Sequence, residues 1–367
     1  TPQHVTGADP ATTPQHVTGA DRATTPQHVT GADPATTPQH VTETHPATTA
    51  QRATSAQDAT PNRPRLGNAP VSYGVYGEGA GGDGASGDAL LASMAEAGYE
   101  GSELGPPGFF GTPEETATLF ARHGLTAVGA YIPVHYALGD DVVAHDLRRM
   151  EQTCRELAAC AEHSGEQPLA ILADEGSQAL LENPARAWDD RSLALDEPGW
   201  QRLARLSADA VALAASYGLR TSFHPHISTY VESPWEVERL LELTEVGLTL
   251  DIAHIQLAGG DPVQCLKQWR ERINHVHVKD VDLDVIRRAK AERRKDFDTW
   301  WADVCVPFGK GDVDIDAFLA ELLRGGYRDW LLVEQDRAST PADLYPKVAA
   351  EQAANRAWLA AKVAAHS

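Results

Sequence analysis

Short apolar runs alternate with longer amphipathic segments along most of this chain, and that alternation constrains the fold more than any other feature. Runs of this length predict buried β-strands, whereas the segments between them repeat apolar residues at helical spacing. Several of the helical patterns end in glycine, which is common just after the last turn of a helix. The strands are predicted over residues 71–76, 99–104, 125–134, 168–174, 219–224, 246–251, 273–280 and 329–335.

Strands that alternate with helices over short connections form parallel sheets. Eight such units in roughly 300 residues fit a closed (β/α)₈ TIM barrel of the α/β class better than an open doubly wound sheet. No GxGxxG fingerprint follows the first predicted strand, which also disfavours a dinucleotide-binding sheet. The glycine-rich segment 76–88 lacks the GK[ST] ending of a phosphate loop, so we interpret it as a lid or linker.

The N-terminal segment has a different character, because it is built from a twelve-residue repeat. It contains almost no large apolar side chains, so it cannot offset the entropy lost when a chain becomes ordered. We predict a disordered tail over residues 1–66 and one catalytic barrel domain over residues 67–367. The repeat TPQHVTGADPAT begins at Thr1 and returns with changes at Thr13, Thr25, Thr37 and Thr49.

The net charge of −21 excludes several kinds of partner. The repeat segment is almost neutral, so nearly all of the acidic excess lies in the predicted barrel. A strongly acidic domain repels phosphate backbones and anionic membrane surfaces. Nucleic acid and membrane are therefore not expected as partners.

The 4 cysteines are scattered, without CxxC spacing or the density of a disulfide-rich fold. This pattern is typical of reduced thiols in a cytoplasmic protein. The sequence also lacks an apolar run long enough for a transmembrane helix, and its start lacks the features of a signal peptide. We expect a soluble, cytoplasmic protein.

Polar side chains accumulate where the predicted strands end, which is where TIM barrels carry their active sites. Because side chains alternate along a strand, His275, His277 and Lys279 share one face. Asp251, His277, Glu334 and a residue of the fifth predicted strand can converge on one point. The strand-end residues are Glu103, His135, Asp174, Glu175, His224, His226, Asp251, His254, His275, His277, Lys279 and Glu334.

Two carboxylates with one or two imidazoles suit a hard or borderline divalent cation. Mn²⁺ is the first expectation, with Co²⁺, Mg²⁺ or Zn²⁺ as alternatives, and the lack of thiolates disfavours a structural zinc site. Polar strand ends that hold no ligand are the competing interpretation.

Several motifs together resemble a known family. GLTLDIAH, INHVHVKD, GKGDVDIDAFL and WLLVEQD are similar to the xylose-isomerase-like barrels of the sugar phosphate isomerase/epimerase superfamily. Within it, AGYEGSELGPPGFFGT and HPHISTYVES look most like the inosose dehydratase branch. The resemblance covers roughly residues 70–360, and the motifs are more specific for the superfamily than for one substrate.

The resemblance implies a divalent metal held by the last four strands. Asp251, His277 and Glu334 match three of its ligands. The wider superfamily has a glutamate as the fourth ligand, and this chain has His224 at that position. Whether His224 binds the metal, whether His226 does, or whether three protein ligands suffice is left open.

The remaining candidates would contact substrate or move protons. His254 matches a histidine that contacts substrate or a second metal in related enzymes. Lys310 stands where many relatives have an acid, and it would neutralise an anionic group or cap a loop. The candidate acids and bases are His226, His254, Lys279 and Glu103, with the histidines first because their pKa lies near neutrality. The candidate substrate contacts are His135, Glu175, His275 and Lys310.

The resemblance favours a lyase that dehydrates an inosose-like keto-polyol through a metal-stabilised enediolate. A sugar isomerase or epimerase uses the same intermediate and is the first alternative. A non-catalytic sugar-binding protein is the alternative of another class. An apurinic endonuclease is disfavoured, since no Asp-x-His pair precedes GKG and the charge opposes DNA. Self-association is common in the family, so a homo-oligomer is also an open expectation.

Overall fold

The computed structural model describes residues 63–77, 86–186 and 190–367, except for the side chains of residues 297–299. These residues belong to one unit that extends from Ala59 to Ser367. Nearly all of the tail expected over 1–66, and most of the glycine-rich segment 76–88, lie outside the described residues.

Eight parallel strands close into a barrel, in the order β1-β10-β7-β6-β5-β4-β3-β2, and the predicted TIM-barrel fold is confirmed. Two further strands, β8 and β9, form a separate antiparallel pair. The strands are β1 (Arg65–Asn68), β2 (Gly101–Leu104), β3 (Thr126–Val134), β4 (Leu169–Asp174), β5 (Arg220–Phe223), β6 (Gly247–Asp251), β7 (Ile273–Val278), β8 (Asp280–Val281), β9 (Cys305–Val306) and β10 (Trp330–Val333).

Helices follow the barrel strands and cover the outside of the sheet. A short 3₁₀ helix, Pro70–Tyr73, follows β1. The α-helices are α1 (Gly87–Ala97), α2 (Pro113–His123), α3 (Asp140–Ser164), α4 (Gln178–Leu181), α5 (Glu197–Ser216), α6 (Pro234–Leu243), α7 (Ile252–Leu257), α8 (Pro262–Trp269), α9 (Leu283–Ala291), α10 (Phe297–Val304), α11 (Ile315–Arg324) and α12 (Tyr345–His366). None of these described helices is long and apolar enough to cross a membrane.

Glycine ends several helices as the sequence predicts. Gly98 and Gly124 follow α1 and α2 with φ of 85° and 65°, and each returns its backbone N–H to the last turn of its helix. This left-handed conformation costs glycine little because it has no Cβ. The start of α2 is fixed by a capping box, in which Thr112 and Glu115 each accept a backbone hydrogen bond from the other.

The expected first strand over 71–76 is wrong, whereas the other seven expected strands are confirmed. The true first strand, Arg65–Asn68, begins before the expected domain boundary at residue 67, and its backbone pairs with β10 and β2. It is only 4 residues long and contains Gly67. A Cβ on Gly67 would lie 2.8 Å from Cδ1 of Leu332, so this strand needs a residue with weak β-propensity.

An excursion between β7 and β10 extends the barrel. It contains β8, α9, α10 and β9, and it has its own apolar cluster, which includes Trp300 and Cys305. Ile227 and Ala253, which lie after β5 and β6, belong to the same cluster. The excursion therefore packs beside the C-terminal ends of the neighbouring strands.

Candidate metal centre and active site

A cavity of about 630 Å³ lies at the C-terminal ends of the barrel strands, where TIM-barrel active sites are found. Its walls combine apolar residues from the loops with polar side chains from the strand ends. The main polar lining residues are Glu103, Tyr131, His135, Glu175, His224, His226, Lys279, Glu334 and Asp336.

Four buried side chains converge beside this cavity, and they are the four that the sequence predicts as metal ligands. His224, Asp251, His277 and Glu334 each offer one ligand atom, and these atoms lie within 4.8 Å of one another. Oδ2 of Asp251 is 3.6 Å from Nε2 of His224. Nδ1 of His277 is 3.1 Å from Oε2 of Glu334.

The turn from β6 into α7 explains why one oxygen of Asp251 is left for a ligand. Asp251 is the N-cap of α7, and its Oδ1 accepts hydrogen bonds from the backbone N–H groups of Ala253 and His254 at 2.8 and 3.0 Å. This arrangement satisfies two backbone donors at the start of the helix. Oδ2 is thereby left directed toward His224 and His277.

Several atoms of this group make no hydrogen bond among the described residues, although Oδ2 of Asp251 and Nδ1 of His277 lie within ion-pair distance of Lys279 and Glu334. They are Oδ2 of Asp251, Nδ1 of His277 and both ring nitrogens of His224. Buried polar atoms are nearly always hydrogen-bonded, so such a cluster of unpartnered atoms needs an explanation. A cation about 2.0–2.2 Å from Oδ2 of Asp251, Nδ1 of His277 and one ring nitrogen of His224 would satisfy those three atoms, since its ligands then lie about 3–4 Å apart. The residues fit a divalent metal ion.

The ammonium of Lys279 lies beside the same carboxylates. Nζ is 3.3 Å from Oδ2 of Asp251, 3.0 Å from Oε2 of Glu334 and 3.1 Å from Oδ1 of Asp336. Burial alone lowers the pKa of Lys279, but these three carboxylates outweigh it and raise the pKa well above its ordinary value. One ammonium cannot balance three carboxylates, and a divalent cation would supply further positive charge.

A second polar layer lies next to His277. Oε1 of Glu103 is 2.8 Å from Nε2 of His277 and 3.0 Å from Nε2 of His275. Burial raises the pKa of Glu103, but the charge of His277 and the two hydrogen bonds lower it below its ordinary value. Burial lowers the pKa of His277, whereas the carboxylates of Glu334 and Glu103 raise it well above its ordinary value.

His226 lies on the cavity wall in the neutral state. Its Nδ1 is 2.8 Å from the carbonyl oxygen of Ile227. Because a carbonyl oxygen only accepts, Nδ1 must carry the hydrogen and Nε2 keeps its lone pair. Burial, with the nearby His224 and Lys279, lowers the pKa of His226 to about 3.

His254 lies behind the cavity wall. The indole ring of Trp301 stacks on its imidazole, with ring centres 5.3 Å apart and planes 12° apart. Its Nε2 is 3.2 Å from Nζ of Lys279. Burial, followed by the charges of His226 and Lys279, lowers the pKa of His254 well below its ordinary value. Trp301 lines the cavity in front of it and also donates to Oδ2 of Asp336.

The wall formed by β3 and the end of β4 carries a hydrogen-bonded pair of polar side chains. The hydroxyl of Tyr131 donates to Oε1 of Glu175 at 2.9 Å, and both residues line the cavity. Burial raises the pKa of Glu175, and the hydrogen bond from Tyr131 opposes that shift. Next to them, His135 is 37% exposed and its Nδ1 lies 3.0 Å from Oδ2 of Asp146.

Buried acids hold the loop that carries His224 and His226. Oδ2 of Asp174 accepts from the backbone N–H of Tyr230 at 2.7 Å. Oε2 of Glu232 accepts from the N–H of Ser228 at 2.6 Å, and Ser228 has a positive φ of 65°. A non-glycine residue keeps this conformation only when its surroundings enforce it.

Two expected substrate contacts lie outside the lining of the cavity. His275 is buried below the cavity, where its Nε2 is bonded to Glu103. Lys310 is exposed, in a loop whose neighbouring glycines, Gly309 and Gly311, donate to Oδ2 of Asp280. Neither side chain lines the cavity, because His275 points deeper into the barrel and Lys310 points to solvent.

Four residues of the site were missed by the sequence analysis: Tyr131, Asp146, Trp301 and Asp336. Asp336 follows Glu334 at strand spacing, which is a signal that could have found it. Tyr131 is hidden in an apolar run, and Trp301 comes from the excursion after β7, whose position sequence periodicity does not predict.

The comparisons with known proteins agree with this geometry. The family described as "Xylose isomerase-like TIM barrel" matches residues 91–361. The inosose dehydratase of Geobacillus kaustophilus is 30% identical over 305 residues, which cover 80% of this chain and 95% of that relative. The rhizopine catabolism protein MocC of Rhizobium meliloti is 36% identical over 162 residues, or 43% of this chain and 50% of the relative.

Solved structures share the fold. The crystal structure of the IolI protein with a bound zinc atom covers 83% of this chain and 99% of its own, with a TM-score of 0.59 and 17% identity. An L-ribulose 3-epimerase covers 83% of this chain and 95% of its own, with a TM-score of 0.57 and 17% identity. At this identity the likeness concerns the fold alone.

Proposed function

This chain belongs to the xylose isomerase-like TIM barrel family, and from that premise we propose that it is a metal-dependent inosose dehydratase. Such an enzyme is a lyase that removes water from a cyclic keto-polyol. One observation carries the proposal: four ligand atoms of His224, Asp251, His277 and Glu334 lie within 4.8 Å of one another beside a polar cavity.

We propose that the metal is Mn²⁺. It would be held by His224, Asp251, His277 and Glu334. Two carboxylates and two imidazoles, without a thiolate, are a donor set suited to Mn²⁺. When bound, a divalent cation polarises the substrate carbonyl and makes the neighbouring C–H group more acidic. His224, rather than His226, is the proposed ligand from β5, because both nitrogens of His224 lack other partners among the described residues.

His226 is the proposed general base. Its Nδ1–H is held by the carbonyl oxygen of Ile227, so the lone pair of Nε2 can take the proton from the carbon next to the carbonyl. Burial keeps His226 in the neutral form, so this lone pair is free.

Lys279 is the proposed acid. Its ammonium lines the cavity and can give a proton to the departing β-hydroxyl. In the whole step, His226 takes the proton from the C–H bond, the C–O bond breaks and a C=C bond forms. The departing hydroxyl takes the proton from Lys279 and leaves as water. Its neighbours Asp251, Glu334 and Asp336 fix the position of Nζ.

The opposite wall would bind the remaining hydroxyl groups of the substrate. Glu175 and Tyr131 form a bonded pair there, and His135 lies on the same side. A carboxylate, a phenol and an imidazole together offer acceptors and donors, as a polyol requires. Trp301 lines the cavity on the side of His254.

A cytoplasmic location is part of the proposal. Cys154, Cys160, Cys265 and Cys305 are free and buried. Proteins of oxidising compartments more often pair their cysteines in disulfides. The thiol state therefore supports a reducing compartment.

Product analysis tests the reaction type. The protein is incubated in D₂O with Mn²⁺ and a panel of inososes and ketoses, and the products are followed by mass spectrometry and NMR. Dehydration predicts a product that is lighter by one water. Deuterium exchange without loss of water contradicts dehydration and favours an isomerase or epimerase, and no reaction with any compound contradicts an enzyme of this class.

A further inference from the structure

Two histidines of β7 share one carboxylate oxygen. Oε1 of Glu103 is 2.8 Å from Nε2 of His277 and 3.0 Å from Nε2 of His275, and all three residues are almost completely buried. Among the described residues, the Glu103 carboxylate makes no other hydrogen bond. Burial of a carboxylate costs free energy. A buried carboxylate that bonds two imidazoles through one oxygen therefore suggests that these hydrogen bonds have a role.

The contact is made across the barrel. In the order of strands, β1 and β10 separate β2 from β7, so Glu103 reaches the histidines through the barrel interior. The register of β2 against β3 shifts between Ser102 and Leu104, at the position of Glu103. Such irregularities redirect a side chain and are common next to active sites.

The bond determines which nitrogen of His277 is available. A carboxylate oxygen accepts hydrogen bonds, so Nε2 of His277 must carry a hydrogen and cannot be a ligand. Nδ1 is then the one nitrogen that can bind a metal. It faces the two carboxylates of the proposed ligand set, 3.1 Å from Oε2 of Glu334 and 3.9 Å from Oδ2 of Asp251.

We infer that Glu103 is a positioning residue, which holds His277 in the ring orientation and the Nε2–H form that direct Nδ1 to the metal. The inference rests on the metal site of the proposed function. It gives Glu103 a different role from that of an acid or base acting on substrate. His275 holds Glu103 in place from the deeper side, which explains why this imidazole lies in the barrel interior away from the cavity.

Outer groups that hold a ligating histidine commonly change metal affinity by about 10- to 100-fold. We therefore expect Glu103→Ala to weaken Mn²⁺ binding by about that factor. Glu103→Gln should lose less Mn²⁺ affinity, since its amide oxygen can still accept a hydrogen bond from Nε2 of His277. If the alanine variant does not fold, Glu103→Gln still allows the metal affinity to be measured.

The experiment measures Mn²⁺ affinity by calorimetry and the visible absorption spectrum of the Co²⁺-loaded protein. Glu321→Gln is the matched control, because Glu321 is another buried glutamate and bonds Arg270 far from the cluster. A purely structural role for Glu103 would lower thermal stability in the same way as the control and leave the metal affinity and the Co²⁺ spectrum unchanged.

The expected result is weaker Mn²⁺ binding and an altered Co²⁺ spectrum for both Glu103 variants, with the alanine variant more affected, and no change for the control. Wild-type affinity and spectrum in both Glu103 variants would overturn the inference, while leaving the proposed function intact. Failure of the wild-type protein to bind any divalent metal would instead overturn the proposed function.

Discussion

Oδ2 of Asp251 lies 3.9 Å from Nδ1 of His277, and the two residues are paired in register on the neighbouring strands β6 and β7. The pairing is a direct consequence of the barrel, since parallel strands bring their C-terminal ends to the same edge. His224 and Glu334 join this pair from the strands on either side. The candidate metal site is thus determined by the strand order and by one polar residue near the end of each strand.

Removal of His224 should weaken metal binding more than removal of His226. We expect His224→Ala to lower the affinity for Mn²⁺ by more than about 100-fold, which exceeds the loss typical of outer groups. His226→Ala should keep the metal and lose activity, because His226 is the proposed base. Equilibrium dialysis followed by elemental analysis measures both. Metal retained in the first variant and lost in the second would reverse the assignment.

Lys279 should stabilise the protein when no metal is bound. We expect Lys279→Met to lower the free energy of unfolding of the metal-stripped protein by about 3–5 kcal/mol, because the variant leaves buried carboxylates without their cation. Added Mn²⁺ should recover much of that loss. Urea unfolding with and without metal measures the effect.

The control for this variant is Lys362→Met, which removes an ion pair between Nζ and Asp316 on the surface. Exposed pairs contribute little, so its unfolding curve should resemble that of the wild type. Equal effects of the two lysine variants would contradict the role assigned to Lys279.

The hydroxyl of Tyr131 should contribute to catalysis through Glu175. We expect Tyr131→Phe to lower kcat/KM by about 10-fold, since a hydrogen bond to a charged group contributes about 1.5 kcal/mol or more. The matched control is Tyr327→Phe, which removes a hydroxyl that donates to the carbonyl oxygen of Trp330 at the other end of the barrel. Similar kinetics for the two variants would rule out a specific role for Tyr131.

Asp174 should make stability depend on pH. Burial is the largest cause of the rise in its pKa, from an ordinary value of 3.8 to about 7. Folding therefore favours the protonated form, and the stabilisation present at low pH is lost as the pH rises from about 4 to about 7. In Asp174→Asn this loss disappears. We expect a smaller decrease in unfolding free energy than in the wild type from about pH 5 to about pH 8. Parallel curves for the two proteins would contradict the shift.

The alternation of strands and helices was sufficient to predict the barrel, because seven of its strands are bounded by clear helical patterns. The first strand was missed, since Arg65–Asn68 is short and contains a glycine. Its place in the sheet is decided by pairing with β10 and β2, which is a contact between distant parts of the chain. Local sequence patterns cannot contain that information.

The metal-ligand set could be proposed from strand ends, because alternation along β7 and strand order are local rules. The contacts of Glu103 could not be predicted from the sequence, since they cross the barrel interior and depend on a register shift in β2. The same holds for Trp301, which reaches His254 from the excursion after β7. Lys310 shows the opposite case, because a motif position suggested a substrate contact, whereas the residue is exposed and does not line the cavity.

The most direct test of the central claim is a metal titration of the stripped protein. Mn²⁺ is added stepwise while bound metal and loss of water from an inosose are measured in the same samples. We predict no dehydration without metal and full activity at one bound ion for each chain. Dehydration that persists in the stripped protein, or metal binding that never produces it, would contradict the claim that the site formed by His224, Asp251, His277 and Glu334 drives the reaction.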